Sequence, residues 1–295
     1  MHPAYSVIFF TTASGAGYGL LFWLSLLHVI GAGPERWASL SALILGTALV
    51  TAGLISSTLH LGHPERAIKA FSQWRSSWLS REGVAAVATY VPMVGLGLIW
   101  LLGLSTGLVP VLALLVALGA VVTVYCTGMI YASLPTIRQW HRGDVPIIYL
   151  LLAAGTGGAL MAIFAKGFGL LGGIALLIAL AGKAMYWIAI DRDPGKYTAE
   201  MAFGMPDMGA PTPLDPPHTQ PNFVMREMGY TVARKHAQRL RTMAMGALFG
   251  AAVLAAFGLP MLAVVAAGVG VWMERWLFFA EAEHVSMLYY GAKRA

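Results

Sequence analysis

The sequence predicts an all-α integral membrane protein of eight transmembrane helices with both termini in the cytoplasm. Three observations carry that prediction. Apolar residues fill 58% of the 295 positions against 11% charged, and the mean hydropathy is +0.71, far from the mix of a soluble globular chain. The apolar residues fall into eight runs, each near the roughly 20 residues needed to cross a hydrocarbon core. Lysine and arginine are segregated by loop, as the positive-inside rule requires of a multi-span protein.

The runs cover residues 6–30, 38–60, 83–103, 108–133, 146–165, 168–190, 242–258 and 261–284. They are continuous rather than alternating, which argues for helices over a barrel, because backbone groups in lipid must be satisfied within the segment. The chain reads as a single membrane domain, 1–295. Its 34 glycines lie mainly inside the runs, as in "TTASGAGYG" and "GTGGA", where small residues let helices approach closely.

With eight spans, the termini and the loops after spans two, four and six share one face. That face carries fifteen of the lysines and arginines, from Arg66 to Arg294, and the other carries only Arg36 and Lys166. Setting aside residues 191–241, because long loops count for less, still leaves eight against two. The charged face is therefore expected to be cytoplasmic. Residues 191–241 form the longest loop. Its "MPDMGAPTPLDPPHTQP" stretch holds six prolines in seventeen residues and suits an extended arm. The basic "NFVMREMGYTVARKHAQRLR" that follows is expected to lie flat at the headgroups before the seventh span. These charges suit membrane anchoring and partner docking, and nucleic acid is not an expected partner.

The lone cysteine, Cys126, excludes an internal disulfide and any four-thiolate cluster or metal site within this chain. If the protein handles electrons, iron–sulfur clusters must belong to a partner. Haem is disfavoured. Of the eight histidines only His60 and His284 are expected at matching depth, near the cytoplasmic ends of spans two and eight.

Between spans two and three, "STLHLGHPERAIKAFSQWRSSWLSREG" crowds protonatable and aromatic groups at the cytoplasmic rim. A quinone takes up two protons with two electrons. Its site needs hydrogen-bond partners for two carbonyl oxygens, a group that trades protons near neutrality, and an apolar approach from lipid. His60 and Glu82 stand at facing ends of consecutive spans, with Arg66 between them to fix a carboxylate or a carbonyl oxygen. The alternative is that all three mark solvated helix ends. Tyr131, Trp74 and Trp78 read as interfacial anchors, any of which can line a pocket for a ring.

At these residues the chain resembles the DMSO reductase anchor subunits, the DmsC-like family. The stretch "LHLGHPERAIKAFSQWRSSWLSRE" is similar to the family signature after the second helix. The similarity extends to "HPAYSVIFFTTASGAGYG", "GMIYASLPTIRQWH" and "ERWLFFAEAEHVSMLYYG", while the proline-rich arm departs from it. The resemblance implies an eight-helix quinone-reactive anchor, partnered by a four-cluster ferredoxin-like iron–sulfur subunit and, through it, a molybdopterin catalytic subunit. It puts the quinol-site histidine at His60, the acidic partner at Glu82 and the loop arginine at Arg66. His63, Trp74, Arg75, Trp78 and Arg81 become candidates for the surface that receives the iron–sulfur partner. The inward-facing charge bias and the "SSWLSRE" wording resemble the branch of cytoplasmic sulfite dehydrogenases, in a bacterial inner membrane, over the exported reductases in which electron flow reverses.

Three buried charges complete the expectations. Lys183 is expected to snorkel to the cytoplasmic end of span six. Glu274 and Arg275 lie deeper in span eight, where ionised groups are expensive and functional by default. Arg275 is expected to pair with Glu281 or Glu283, and Glu274 and Arg275 are candidates for a proton route. A secondary transporter is the competing class, but its broken helices, midplane site and internal repeat are not evident here.

Overall fold

The computed structural model describes residues 1–59, 67–205, 209, 211, 220, 222–229, 232–292 and 294. Eight long helices dominate it: α1 Tyr5–Val29, α2 Arg36–Leu59, α3 Trp78–Leu102, α4 Val109–Ala132, α5 Asp144–Phe164, α6 Gly169–Arg192, α7 Val232–Ala256 and α8 Pro260–Ala280. All eight are long and apolar enough to cross a membrane.

The helices form two four-membered rings. In the first, α1 packs on α2, α2 on α3, α3 on α4 and α4 back on α1; in the second, α5, α6, α7 and α8 close in the same manner. The rings share a seam made by α1 and α4 on one side and α5 and α8 on the other. Without a hydrophobic driving force between helices in lipid, close backbone approach must hold such a bundle together. Small residues supply it. A Cβ built on Gly19 would collide with the Ala153 carbonyl, and one on Gly157 with the backbone of Gly19, so α1 and α5 meet main chain to main chain. Gly17 faces Gly46 between α1 and α2, and Gly158 faces Gly172 between α5 and α6.

Loops are short at one end of the bundle and long at the other. At the short end, left-handed Gly103 (φ 68°) closes α3, a conformation that glycine adopts without a Cβ penalty. There the Arg36 guanidinium covers the last carbonyls of α3, donating to Trp100 and, at 2.7 Å, to Leu101. At the long end the termini meet the other loops. The Met1 amino group donates to the Ala282 carbonyl at 2.8 Å, Arg138 pairs with Glu283 at 3.0 Å, and Trp140 Nε1 donates to the Phe278 carbonyl at 2.9 Å. Both termini thus lie at the same end as residues 133–143, as an even number of spans requires.

Two helix bounds differ from the expected spans. Phe223–Met228 is a short helix, and α7 then begins at Val232 and runs unbroken into the span, because Lys, Arg and Gln are good helix formers and nothing between 232 and 242 breaks the helix. The third helix starts at Trp78, ahead of the expected 83, because the Ser77 side chain accepts from the Ser80 N–H and caps it there.

Gly157→Val should uncouple the two rings, since overpacking against the Gly19 backbone costs about 3 kcal/mol or more. Gly246→Val, at a position where a Cβ meets nothing within 4 Å, should be neutral. Immunoblots of membrane fractions check this: normal accumulation of the Gly157 variant would contradict the packing scheme.

Candidate functional site

Glu82 follows from the Ser77 cap. Five residues beyond the cap, it lies roughly 7 Å into α3, and its side chain turns inward and is only 4% exposed. A buried carboxyl group needs a polar partner. It has one on the neighbouring helix, where the Thr127 hydroxyl forms a short hydrogen bond with Glu82 Oε1. The same hydroxyl lies 3.0 Å from the Thr123 carbonyl. A hydroxyl carries one hydrogen and two lone pairs, so it serves both protonation states of the acid. Toward a carboxylate Thr127 donates; toward a carboxylic acid it accepts and gives its hydrogen to Thr123. The arrangement holds Glu82 in place while a proton comes and goes.

One turn further along α4, Tyr131 sits on the same stripe as Thr123 and Thr127. It stacks on Tyr149 (centroids 5.7 Å apart) and meets Trp140, Phe278 and Phe279 edge-on at 5.2 to 5.5 Å. An apolar recess of about 210 Å³, lined by Tyr18, Phe22, Val121, Val124 and Leu151, opens between α1, α4 and α5.

The second ring buries a charge cluster. Lys183 Nζ lies 2.6 Å from Glu274 Oε1, and Arg275 Nε lies 3.4 Å from Glu274 Oε2. All three side chains are 2% exposed or less. Two cations share one carboxylate, and aromatic faces supplement it: Lys183 lies 3.9 Å from the centroid of Tyr186, and Arg275 lies 3.6 Å from that of Tyr149. This corrects two expectations. Lys183 does not snorkel, because Glu274 offers a buried counter-charge within reach. Nor does Arg275 pair with Glu281 or Glu283. Those carboxylates are held by Arg241 at 2.8 Å and by Arg138, both nearer the bundle end.

Of the residues expected to receive a partner, Trp74 and Arg75 are exposed at that same end, and Trp78 and Arg81 are half-buried there. Trp74 and Arg75 lie in a turn that Arg81 ties down, its guanidinium donating to the Trp74 carbonyl at 3.0 Å and to that of Arg75 at 2.6 Å. Arg81 also covers the Trp78 ring at 4.2 Å. His60, His63 and Arg66 lie outside the described residues. His284, the other histidine considered for haem, caps the 3-10 helix Val285–Tyr290, its Nδ1 accepting from the Ser286 N–H at 3.1 Å. Burial, then the Met1 ammonium, holds its pKa below the usual histidine value. Among the described residues no three His, Cys, Asp or Glu gather as a metal site.

Sequence reasoning missed Thr127, Tyr149 and the pairing of Lys183. A signal existed for the first: Thr123, Thr127 and Tyr131, spaced by four, mark one polar stripe in an otherwise apolar helix.

The profile of the DMSO reductase anchor subunit (DmsC) family matches residues 1–184. The chain belongs to this family. A sulfite dehydrogenase subunit of Allochromatium vinosum is 30% identical to it over 98% of this chain and 99% of the relative. Family membership and the eight apolar helices make the protein a multi-pass membrane anchor of an oxidoreductase complex.

Glu274→Gln should destabilise the protein by about 3–5 kcal/mol by leaving buried Lys183 and Arg275 without their shared carboxylate, whereas Lys183→Met, which leaves Glu274 beside Arg275, should cost less. Thermal unfolding of the detergent-solubilised complex measures it. A Glu274→Gln variant as stable as the parent would contradict the ion pair.

Proposed function

We propose that this protein exchanges electrons between an iron–sulfur partner and membrane quinone at the long-loop end of the bundle, with Glu82 as the proton-exchanging acid. The observation that carries the reading is a fully enclosed carboxyl group, one to two turns from that end, held by a hydroxyl that accommodates both of its protonation states. An isolated charge would not be kept there for stability, whereas a group that trades protons with a lipid-soluble carrier must sit out of bulk water yet near it. Quinone bound here would accept two electrons and two protons. Glu82 supplies one proton and His60 is the candidate donor of the other, and Thr127 keeps the acid oriented before and after the transfer. The Tyr131 hydroxyl and His60 are the candidate partners for the carbonyl oxygens, and Arg66 is the candidate to fix the charge beside them. The apolar recess suits a prenyl chain.

Trp74, Arg75, Trp78 and Arg81, with His63 in the same loop, are the proposed landing surface for the four-cluster ferredoxin-like subunit. Trp74, Arg75, Trp78 and Arg81 flank the start of α3, so electrons would arrive within a few residues of Glu82. Loop charges favour a cytoplasmic position for this end, in the inner membrane of a bacterium. Likeness to a sulfite dehydrogenase subunit favours sulfite oxidation at the molybdenum of the catalytic partner, with electrons flowing toward quinone. In a DMSO reductase complex the same residues would take protons from quinol, and only the direction would change.

Two assays on one membrane preparation test the proposal. Glu82→Gln and His60→Ala should each lower quinone-coupled turnover on the order of a hundredfold or more, while electron transfer from substrate to a soluble dye persists in the partner subunits. Retention of quinone-coupled turnover by both variants would remove the site.

A further inference from the structure

At the long-loop end a groove of about 520 Å³ is built entirely from segments outside the eight long helices. Pro135 and Thr136 come from the turn after α4, Tyr197 and Met201 from the stretch after α6, and Leu288 and Tyr289 from the segment after α8. A groove beyond the helix ends opens to water, yet its wall is apolar. Met201 and Tyr289 are more than half exposed, and Phe203, edge-on to the Tyr289 ring at 5.6 Å, is exposed beside them. Leaving that much methionine and aromatic surface in water is unfavourable, and such a patch marks a contact surface. The wall is also preformed. Bridges join Ile137 to His284 and Thr198 to Arg294, and the Val285 N–H donates to the Thr136 carbonyl at 3.1 Å. The Thr198 hydroxyl caps the short helix Ala199–Ala202, which presents Met201. A ligand meets ordered side chains there, which lowers the entropic cost of binding.

The groove adjoins a charged recess of about 280 Å³, with which it shares Pro135, Tyr197 and Val285. Arg138 and Arg142 line the recess but are paired with Glu283 and Asp144. Lys196, in the same wall, is exposed and has no carboxylate partner among the described residues. His141 gives its Nδ1 hydrogen to the Ala132 carbonyl at 2.8 Å, which leaves Nε2 open. An occupant with an apolar side chain beside a carboxylate fits both halves. An anchor subunit must hold its complex, and stable interfaces take roughly 20–30 residues a side. Trp74, Arg75, Trp78 and Arg81 alone are too few. The groove begins directly after α4, the helix that packs on α3, at the same end as those four residues.

We propose that this groove is a second part of the docking surface for the iron–sulfur subunit, which places an apolar side chain between Met201 and Tyr289 and an adjoining carboxylate at Lys196. The choice of that subunit rests on the reading given above, whereas the groove itself rests on the chain's place as a membrane anchor. The two surfaces divide the work. The turn before α3 brings the electron donor close to Glu82, and the groove supplies affinity, because interface energy concentrates where aromatic and methionine side chains meet a partner in a preformed pocket. The exposed cation at its edge selects an acidic segment.

The test uses the whole complex in membranes. A photo-crosslinking amino acid at Met201 or at Tyr289 should give adducts with the iron–sulfur subunit, identified by mass spectrometry. The same amino acid at Ile178, exposed in the middle of α6, should give none. Met201→Glu with Tyr289→Glu should release on the order of tenfold more dye-coupled activity into the soluble fraction, while the variant chain accumulates normally in membranes. Lys196→Glu, at an exposed side chain that leaves the apolar wall intact, should cause a smaller release. Should the double variant fail to accumulate, the crosslinks and Lys196→Glu decide. Adducts only with lipid, with the chain's own proline-rich arm, with a second copy or with the catalytic subunit would overturn the assignment, as would full retention of the partners by an accumulated double variant. The crosslinker at Trp74 separates the two claims: adducts with the iron–sulfur subunit there, without any from Met201 and Tyr289, would remove the groove alone. Absence of that subunit from all three positions would remove the landing surface with it.

Discussion

The contact on which the second ring depends is the ion pair between Lys183 and Glu274, 2.6 Å apart and closed off from solvent. In hydrocarbon neither charge is tolerable alone, so α6 and α8 must keep the register that joins them. Arg275, next along α8, then points toward α5, where the Tyr149 face receives it. One pair of opposite charges thus fixes three helices, and it orients a cation toward the boundary with the first ring. The aromatic groups around it, Tyr186, Trp187 and Phe278, supply face-on negative density where a second carboxylate is missing.

The first ring is held differently. Its helices meet through glycines, and its one buried acid is satisfied by a hydroxyl instead of a cation among the contacts described. That difference suits different tasks. A salt bridge holds its carboxylate deprotonated and its ammonium protonated, whereas a hydroxyl partner accommodates either state of the acid. The acid proposed to react is the one with the hydroxyl, and the acid in the pair is held as a fixed charge between two cations. The seam, where α1 and α5 touch backbone to backbone at Gly19 and Gly157, keeps the two acids in fixed relation.

Much of this was legible in the sequence, for identifiable reasons. Eight spans and the common end of the two termini follow from apolar run length and an even count, which tertiary structure cannot override. Glu82 was legible because it stands at the junction of a polar loop and an apolar run. Its companion Thr127 was not, because a lone threonine in a span is usually spent on its own helix, and only the pairing of α3 with α4 brings the two together. Lys183 was misread for the same reason. Distance from a helix end suggested that its stem could reach water, but the side chain follows the nearest counter-charge, and a single sequence does not show that α6 faces α8. Arg275 was expected to pair along its own helix with Glu281, yet six residues place the two on different faces, and Arg241 from α7 takes that position instead. The start of α7 was misplaced because hydropathy marks where a helix enters lipid, not where it begins.

The central claim is that quinone reacts beside Glu82 at the long-loop end. Photolabelling of the intact complex with a quinone that carries a light-activated group, followed by mass spectrometric mapping of the adducts, tests it most directly. Labels should cluster on the first turns of α3 and the last turns of α4, around Trp78, Glu82 and Tyr131, and should be displaced by excess unlabelled quinone. Displaceable labelling confined to the short-loop end, around His28, Arg36 and Trp100, would contradict the account.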